Sequence, residues 1–262
     1  MKKILLATAG LLVIMLSSAS AADLAVKAHS AAPSPVWDWT GFYAGVHAGA
    51  GWGTTESTLT SISAPGIPAV VFNVPIAQNS RSGFLGGGQI GYNFQSGWAV
   101  FGVQGDIAGL DVKGTTPCLT VLSCTAKSDW LGTATGRIGG VVADKMLVYV
   151  KGGAAWLHTT HTVTIPAAGI GGIGTGTSSS VETTSFGWLL GMGAEYAFSP
   201  NWSAFLEYDY IEFDKKSAVL DLSTLGGLGA GAVTGNVDFK NKLSIAKVGL
   251  NYKFGGPVVA RY

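Results

Sequence analysis

Hydrophobic and polar residues alternate with a period of two along residues 241–254, NKLSIAKVGLNYKF. Successive strand residues point to opposite sides. Ser244, Ala246, Val248, Leu250, Tyr252 and Phe254 therefore share one face, and Ile245, Lys247, Gly249, Asn251 and Lys253 share the other. The first face is apolar and ends in two aromatics. The second carries two lysines. A strand with an apolar row outward and a polar row inward suits a closed barrel in lipid.

The same template fits seven earlier segments: 41–52, 83–95, 98–109, 129–142, 146–157, 185–198 and 202–213. Each is long enough for a tilted membrane-spanning strand, which needs about 9–11 residues. The connections alternate in kind. Residues 95–97, 143–145 and 199–201 read as tight turns, whereas 53–82, 110–128, 158–184 and 214–240 read as long loops rich in Gly, Ser, Thr and Ala. Short turns at one end and long loops at the other are a property of bacterial outer-membrane barrels. The pattern predicts an all-β fold, an eight-stranded antiparallel transmembrane β-barrel with short periplasmic turns and long extracellular loops.

The charges sharpen this. The outward registers of these segments hold no Asp, Glu, Lys or Arg at mid-strand, while the inward registers hold Asp106, Arg137, Lys151, Glu195, Glu207, Asp209, Lys247 and Lys253. An outward Arg or Lys near the bilayer midplane would cost roughly 2–4 kcal/mol. Buried charges need partners, and similar heights above the turns predict Asp106 with Arg137, Lys151 with Glu195, and Asp209 with Lys247. Eight strands leave an interior just wide enough for side chains, so the expected lumen is plugged. Aromatics cluster at both strand ends, Trp98, Trp202, Tyr252 and Phe254 by the short turns and Trp52, Trp130 and Trp156 by the long loops, as headgroup-level girdles do.

Composition excludes other classes. The chain opens with Lys2 and Lys3, an apolar run over 4–15 and Ala19-Ser20-Ala21, the layout of a secretory signal peptide over 1–21. That run is shorter than the ~20 residues of a spanning helix. Removing Lys2 and Lys3 from 16 basic residues leaves 14 against 15 acids, a net charge of −1, with no bias toward nucleic acid. Charged residues make up 12% of the chain, half the usual share. Residues 22–40 read as a periplasmic lead-in, 41–254 as the barrel and 255–262 as a short tail.

Candidate chemistry is sparse. His158 and His161 form an H-x-x-H motif. In a strand that spacing sends the rings to opposite faces; in a turn they could meet on a metal or haem iron. His47 falls on an inward face as a lumen hydrogen-bonder. Cys118 and Cys124 are a disulfide candidate in an exported chain. The glycines of GFLGGGQIG (83–91) precede no helix that would hold a phosphate and instead allow close strand approach. No Ser/His/acid grouping can be assembled by spacing, so neither catalysis nor a cofactor is expected.

ADLAVKA (22–28), WTGFYAGVHAGAGWG (39–53), SDWLGTATGRIG (128–139), VYVKGGAAW (148–156), NWSAFLEYDYIEF (201–213) and KVGLNYKFGGPVVARY (247–262) together resemble the small outer-membrane β-barrel proteins of alphaproteobacteria. That porin-like family includes surface antigens and some haem-binding members. The resemblance implies an eight-stranded outer-membrane barrel with outer-membrane lipid and lipopolysaccharide as surroundings. Tyr252 and Phe254 resemble the aromatic-terminated signal read by the outer-membrane assembly machinery. The expected role is structural and surface-presenting, with a plugged or narrow lumen. The alternatives are a small-solute porin, or haem or host-surface binding through the loops.

Overall fold

A computed structural model describes residues 37–118, 122–164, 178–221 and 233–255. Among these described residues nine strands run β1 (Gly41–Ala64), β2 (Ile67–Ser96), β3 (Ala99–Cys118), β4 (Leu122–Val142), β5 (Met146–Thr164), β6 (Ser178–Ala197), β7 (Trp202–Phe213), β8 (Lys216–Asp221) and β9 (Thr234–Lys253). Each pairs antiparallel with its sequence neighbour as far as β7, β9 pairs with β7 and β8, and β1 closes the ring on β9. The closing seam runs from Tyr43↔Lys253 to Ser63↔Thr234 and is extended by Phe254 N–H donating to the Phe42 carbonyl at 2.8 Å.

Nine strands occupy eight wall positions. β7 pairs with β9 from Trp202↔Tyr252 to Glu212↔Lys242, and β8 takes up the same edge from Lys216↔Phe239 to Asp221↔Thr234. The two are one strand interrupted at Asp214-Lys215.

The long loops expected from sequence need correction. Residues 53–82 are a hairpin that continues β1 and β2 to a tight turn at Pro65-Gly66, where Gly66 takes φ 77° without a Cβ clash. Likewise, strand continues to Cys118, Thr164 and Asp221. The 24 residues of β1, at about 3.4 Å each and a tilt of roughly 40°, rise about 60 Å, against an apolar band of about 25 Å. Above the band the outer surface meets water, so its outward positions need not be apolar. The apolar-out signal therefore ends where the membrane ends, while the hydrogen-bonded ladder continues.

Inside the band the outward row is exposed and apolar, as at Phe84, Ile107 and Leu206. Girdle aromatics meet edge-on, Trp202 with Tyr252 at 5.1 Å and Trp156 with Phe186 at 5.6 Å between centroids. The three short turns lie at the opposite end from the extended hairpins. One of them, the three-residue connection 143–145 between the paired Val142 and Met146, holds Ala143 (φ 50°) and Asp144 (φ 59°) in the left-handed region.

Candidate functional site

The inward row of β9 passes through every layer of the lumen. From the periplasmic end it reads Lys253, Asn251, Gly249, Lys247, Ile245, Leu243, Asn241, Phe239 and Val237, alternating polar and apolar levels.

The lowest level is a cork. Trp39 is 2% exposed and packs with Trp37, Val100, Leu147, Tyr149 and Ala197. Its backbone N–H donates to Gln95 Oε1 at 2.8 Å, and Lys253 Nζ donates to the Asp38 carbonyl while lying 4.6 Å above the Trp37 ring. Residues 37–40 are thus packed into the barrel, not part of a free lead-in, which corrects the boundary drawn at 41. An apolar closure was legible in two tryptophans beside a polar segment, but nothing in their spacing gave their direction.

Above the cork, every wall position contributes to one polar network. Arg137 donates from Nε to Asn93 Oδ1 at 2.8 Å and pairs with Glu195 at 3.2 Å. Its guanidinium lies 4.6 Å over Tyr43 and 5.1 Å over Tyr149, where cation–π attraction adds to the ion pair. Glu195 Oε1 accepts from Ser203 at 2.5 Å and Asn251 at 2.7 Å. Gln89 links Asn251, at 2.7 Å, to His47, at 2.6 Å. Higher up, Lys247 Nζ lies 2.8 Å from Glu207, 3.1 Å from Asp106 and 3.3 Å from Asp209. Lys151 meets Glu207 at 2.5 Å and Asp209 at 3.2 Å. Tyr149 Oη donates to Glu207 Oε2 at 2.8 Å, and Thr133 Oγ1 to Asp106 Oδ2 at 3.0 Å.

Seven of the eight predicted inward ions therefore share one level range, Lys253 lying below them at the cork, and Asp209 meets Lys247 as expected. The other two expected pairs are corrected: Asp106 meets Lys247 rather than Arg137, and Glu195 meets Arg137 rather than Lys151. Barrel shear is the cause. Arg137 is the cross-strand partner of Gly102, four residues from Asp106, and Glu195 opposes Leu147, four residues from Lys151.

Glycine makes room for the lumen tyrosines. Tyr149 directly opposes Gly193 and Tyr43 opposes Gly91. A Cβ on either glycine would strike the facing ring, so each phenol lies across its neighbour strand and reaches the middle of the lumen.

An apolar layer follows, including Leu85, Val112, Leu157, Ile211, Phe213 and Leu243. Next comes a polar layer around Arg81, and then a second apolar layer of Leu59, Cys124, Val163, Leu220, Val237 and Phe239. These upper layers were hidden from sequence reasoning inside the supposed loops. The period-two inward row Asn79, Arg81 and Thr55, Ser57, Leu59 was the signal that could have found them.

In that polar layer Arg81 is 3% exposed. Nη1 donates to Ser128 Oγ at 2.7 Å and Nη2 to Asn241 Oδ1 at 3.1 Å. Arg81 opposes Gly53, the residue beyond girdle residue Trp52, and His161 stands five residues above Trp156, so both lie outside the apolar band. Burial pulls the Arg81 guanidinium down to about 10. Burial, then the charge of Arg81, pulls the His161 imidazole down to about 3.

His161 stacks inward on Phe239 at 3.9 Å. His158 points outward, stacked on Trp130 at 6.1 Å and 3.2 Å from Thr184 Oγ1. Both sit in β5, so the strand spacing holds and the rings do not converge on one ligand. Thr116 opposes Cys124 in the β3–β4 ladder, and Cys118 opposes Leu122; Cys124 is disulfide-bonded. Tyr252 and Phe254 are exposed on the outward row, in edge contact at 5.2 Å. The signal peptide and most of the tail lie outside the described residues.

The model of the family described as outer membrane protein beta-barrel domain matches residues 9–255. A 31 kDa outer-membrane immunogenic protein of Brucella melitensis is 31% identical over 262 residues, covering 97% of this chain and 100% of the relative. A 22 kDa outer membrane protein of Rhizobium leguminosarum is 28% identical over 199 residues, covering 74% of each chain. Among solved structures, OprG of Pseudomonas aeruginosa superposes with a TM-score of 0.50 at 12% identity, covering 85% of this chain and 100% of that one, a likeness of fold alone. With an apolar belt outside, a charged network inside and a family match across nearly its whole length, this chain belongs to the outer membrane protein β-barrel family and resides in the outer membrane.

Proposed function

We propose that the barrel is a non-enzymatic, essentially non-conducting envelope protein that presents an extended wall at the cell surface. The carrying observation is the inward row of β9, whose side chains are buried from Asn251 to Val237 apart from half-buried Gly249. Two apolar layers and a paired ionic layer lie across the path an ion would take, and a desolvated ion cannot cross an apolar layer cheaply. The name of the Brucella relative, an outer-membrane immunogenic protein, agrees with a surface-presenting role.

The surroundings follow from the outer wall. Above the girdle, Lys113, Lys127, Lys215, Lys216, Lys240 and Lys242 stand on outward or exposed positions, suited to the phosphates of lipopolysaccharide. Planar-bilayer recording of the purified protein tests the filled lumen. Rare or small openings are expected. Reproducible large openings in the wild-type chain would establish the small-solute porin instead.

A further inference from the structure

Arg81 is a buried cation without an acid partner among the described residues. Among the described residues the acids that face the lumen, Asp106, Glu195, Glu207 and Asp209, all belong to the ionic layer, and the apolar layer of Leu85, Val112 and Leu243 separates them from Arg81. Acids of the upper wall, from Glu56 and Asp111 to Asp221 and Asp238, lie on outward registers. Segments 119–121, 165–177 and 222–232 contain no Asp or Glu, so no acid from them can reach it. Burying an unpaired charge is costly enough that a partner is expected.

The groups around Arg81 also leave hydrogen bonds unmade. Arg81 Nε, Asn241 Nδ2 and His161 Nε2 are buried without partners. Asn241 Oδ1 already accepts from Arg81 and from Thr55 Oγ1, the latter at 2.8 Å. The guanidinium only donates, so its contact needs an oxygen; the amide orientation is thereby fixed and Nδ2 is left as a free donor. Ser128 Oγ, bonded to Arg81, is 3.1 Å from Thr159 Oγ1. A guanidinium and an amide NH2 with spare donors, ringed by hydroxyls and roofed by the Leu59–Phe239 layer, is the chemistry of an anion site.

We propose that the polar layer around Arg81 binds one small monovalent inorganic anion of the chloride class, enclosed between the two apolar layers of the lumen. One guanidinium charge is matched by one negative charge; a divalent anion would leave an excess in a dry site. The ion is taken up with folding and acts as a structural counter-ion for the part of the barrel that stands outside the membrane.

Linkage makes this measurable, because an anion that binds only the folded barrel at ten times its dissociation constant shifts the folding equilibrium about tenfold. The full chain is refolded into phospholipid micelles, and its urea midpoint is followed in chloride, bromide, sulfate or gluconate at matched ionic strength. Chloride and bromide should raise the midpoint progressively above its value in gluconate, and sulfate should not. Arg81→Met should erase the difference. Asn241→Asp places a carboxylate where Arg81 already bonds, so it should also erase the difference while keeping the gluconate midpoint at or above wild type. This second variant decides the matter if Arg81→Met does not fold. Equal wild-type midpoints in chloride and gluconate, an equal rise with sulfate, or chloride dependence surviving Asn241→Asp would each overturn the site.

Discussion

Glu207 and Lys247 are directly opposed in the β7–β9 ladder, 2.8 Å apart, and Lys247 is also 3.1 Å from Asp106 on β3. One ammonium therefore ties neighbouring strands together and bridges to a wall position on the far side of the seam. Each of its three acids lies inside the barrel, where removing one partner leaves an uncompensated charge.

Lys247→Met should consequently cost about 3–5 kcal/mol of unfolding free energy, more than an exposed ion pair such as Lys113–Asp111, worth at most about 1 kcal/mol. Adding Asp209→Asn to Lys247→Met should restore part of the loss, since it removes one of the stranded acids. Urea titration of the three proteins in phospholipid micelles measures both effects. Additive losses in the double variant would mean that Lys247 and Asp209 do not interact.

Tyr149 over Gly193 gives a steric prediction. A methyl at Gly193 meets the Tyr149 ring and hydroxyl, and the ring cannot retreat without breaking its bond to Glu207. Gly193→Ala should destabilise by about 1–3 kcal/mol, as overpacking does, and Tyr149→Leu in the same chain should recover most of the packing component. A Gly193→Ala protein as stable as wild type in the same titration would show that the ring is not held.

The limits of the membrane band can be mapped by paired substitutions. Leu206 and Val71 are both exposed and apolar, but Leu206 lies mid-band and Val71 near the hairpin tip. Leu206→Arg should cost roughly 2–4 kcal/mol, whereas Val71→Arg should stay within about 0.5 kcal/mol. Similar costs at both positions would place the β1–β2 hairpin in lipid.

His161 gives the outer wall a pH dependence. Its folded value of about 3 lies below the usual 6.5 because of burial first and Arg81 second. Above pH 6.5 folded and unfolded forms are both neutral, and the full stability is present. As pH falls from 6.5 toward 3 only the unfolded form takes up the proton, so stability is lost at up to about 1.4 kcal/mol per pH unit. In gluconate, where the Arg81 site stays empty, wild type should lose stability relative to His161→Leu between pH 7 and pH 5. Parallel pH curves for the two proteins would contradict the buried, neutral imidazole.

The membrane-embedded part of this architecture was legible because lipid imposes two simultaneous demands on each strand. Val248, Leu250 and Tyr252 had to be apolar while Lys247 and Asn251 could not face out, and the alternation follows. Above the band only one demand remains. Val237 and Phe239 still face inward, but Asp238 and Lys240 between them face water, and that stretch reads like a loop. Ion pairing was legible as a set and only partly as pairs: Asp209 and Lys247 sit on adjacent wall positions, but shear carries Glu195 to Arg137 and Asp106 across the seam. Arg81 was harder to see because its layer follows no membrane rule, and only the period-two inward row through Asn79 and Arg81 marked it.

The end of β9 carries the last prediction. Phe254 is 55% exposed, its side chain touches Tyr252, and its backbone closes the seam to Phe42. Beyond it, Gly255 turns at φ 96°, leaving the ladder. If the assembly machinery reads the outward aromatics of this last strand, the signal is Tyr252 and Phe254. Deleting residues 255–262 should then leave heat-modifiable, membrane-integrated protein at near wild-type levels. Phe254→Asp should sharply reduce it in cells, because a carboxylate replaces the aromatic, while refolding into micelles in vitro should be affected much less, since the backbone bond to Phe42 is kept. The contrast between the two assays separates a recognition role from a purely structural one. Equal losses in cells and in micelles would assign Phe254 to barrel closure alone.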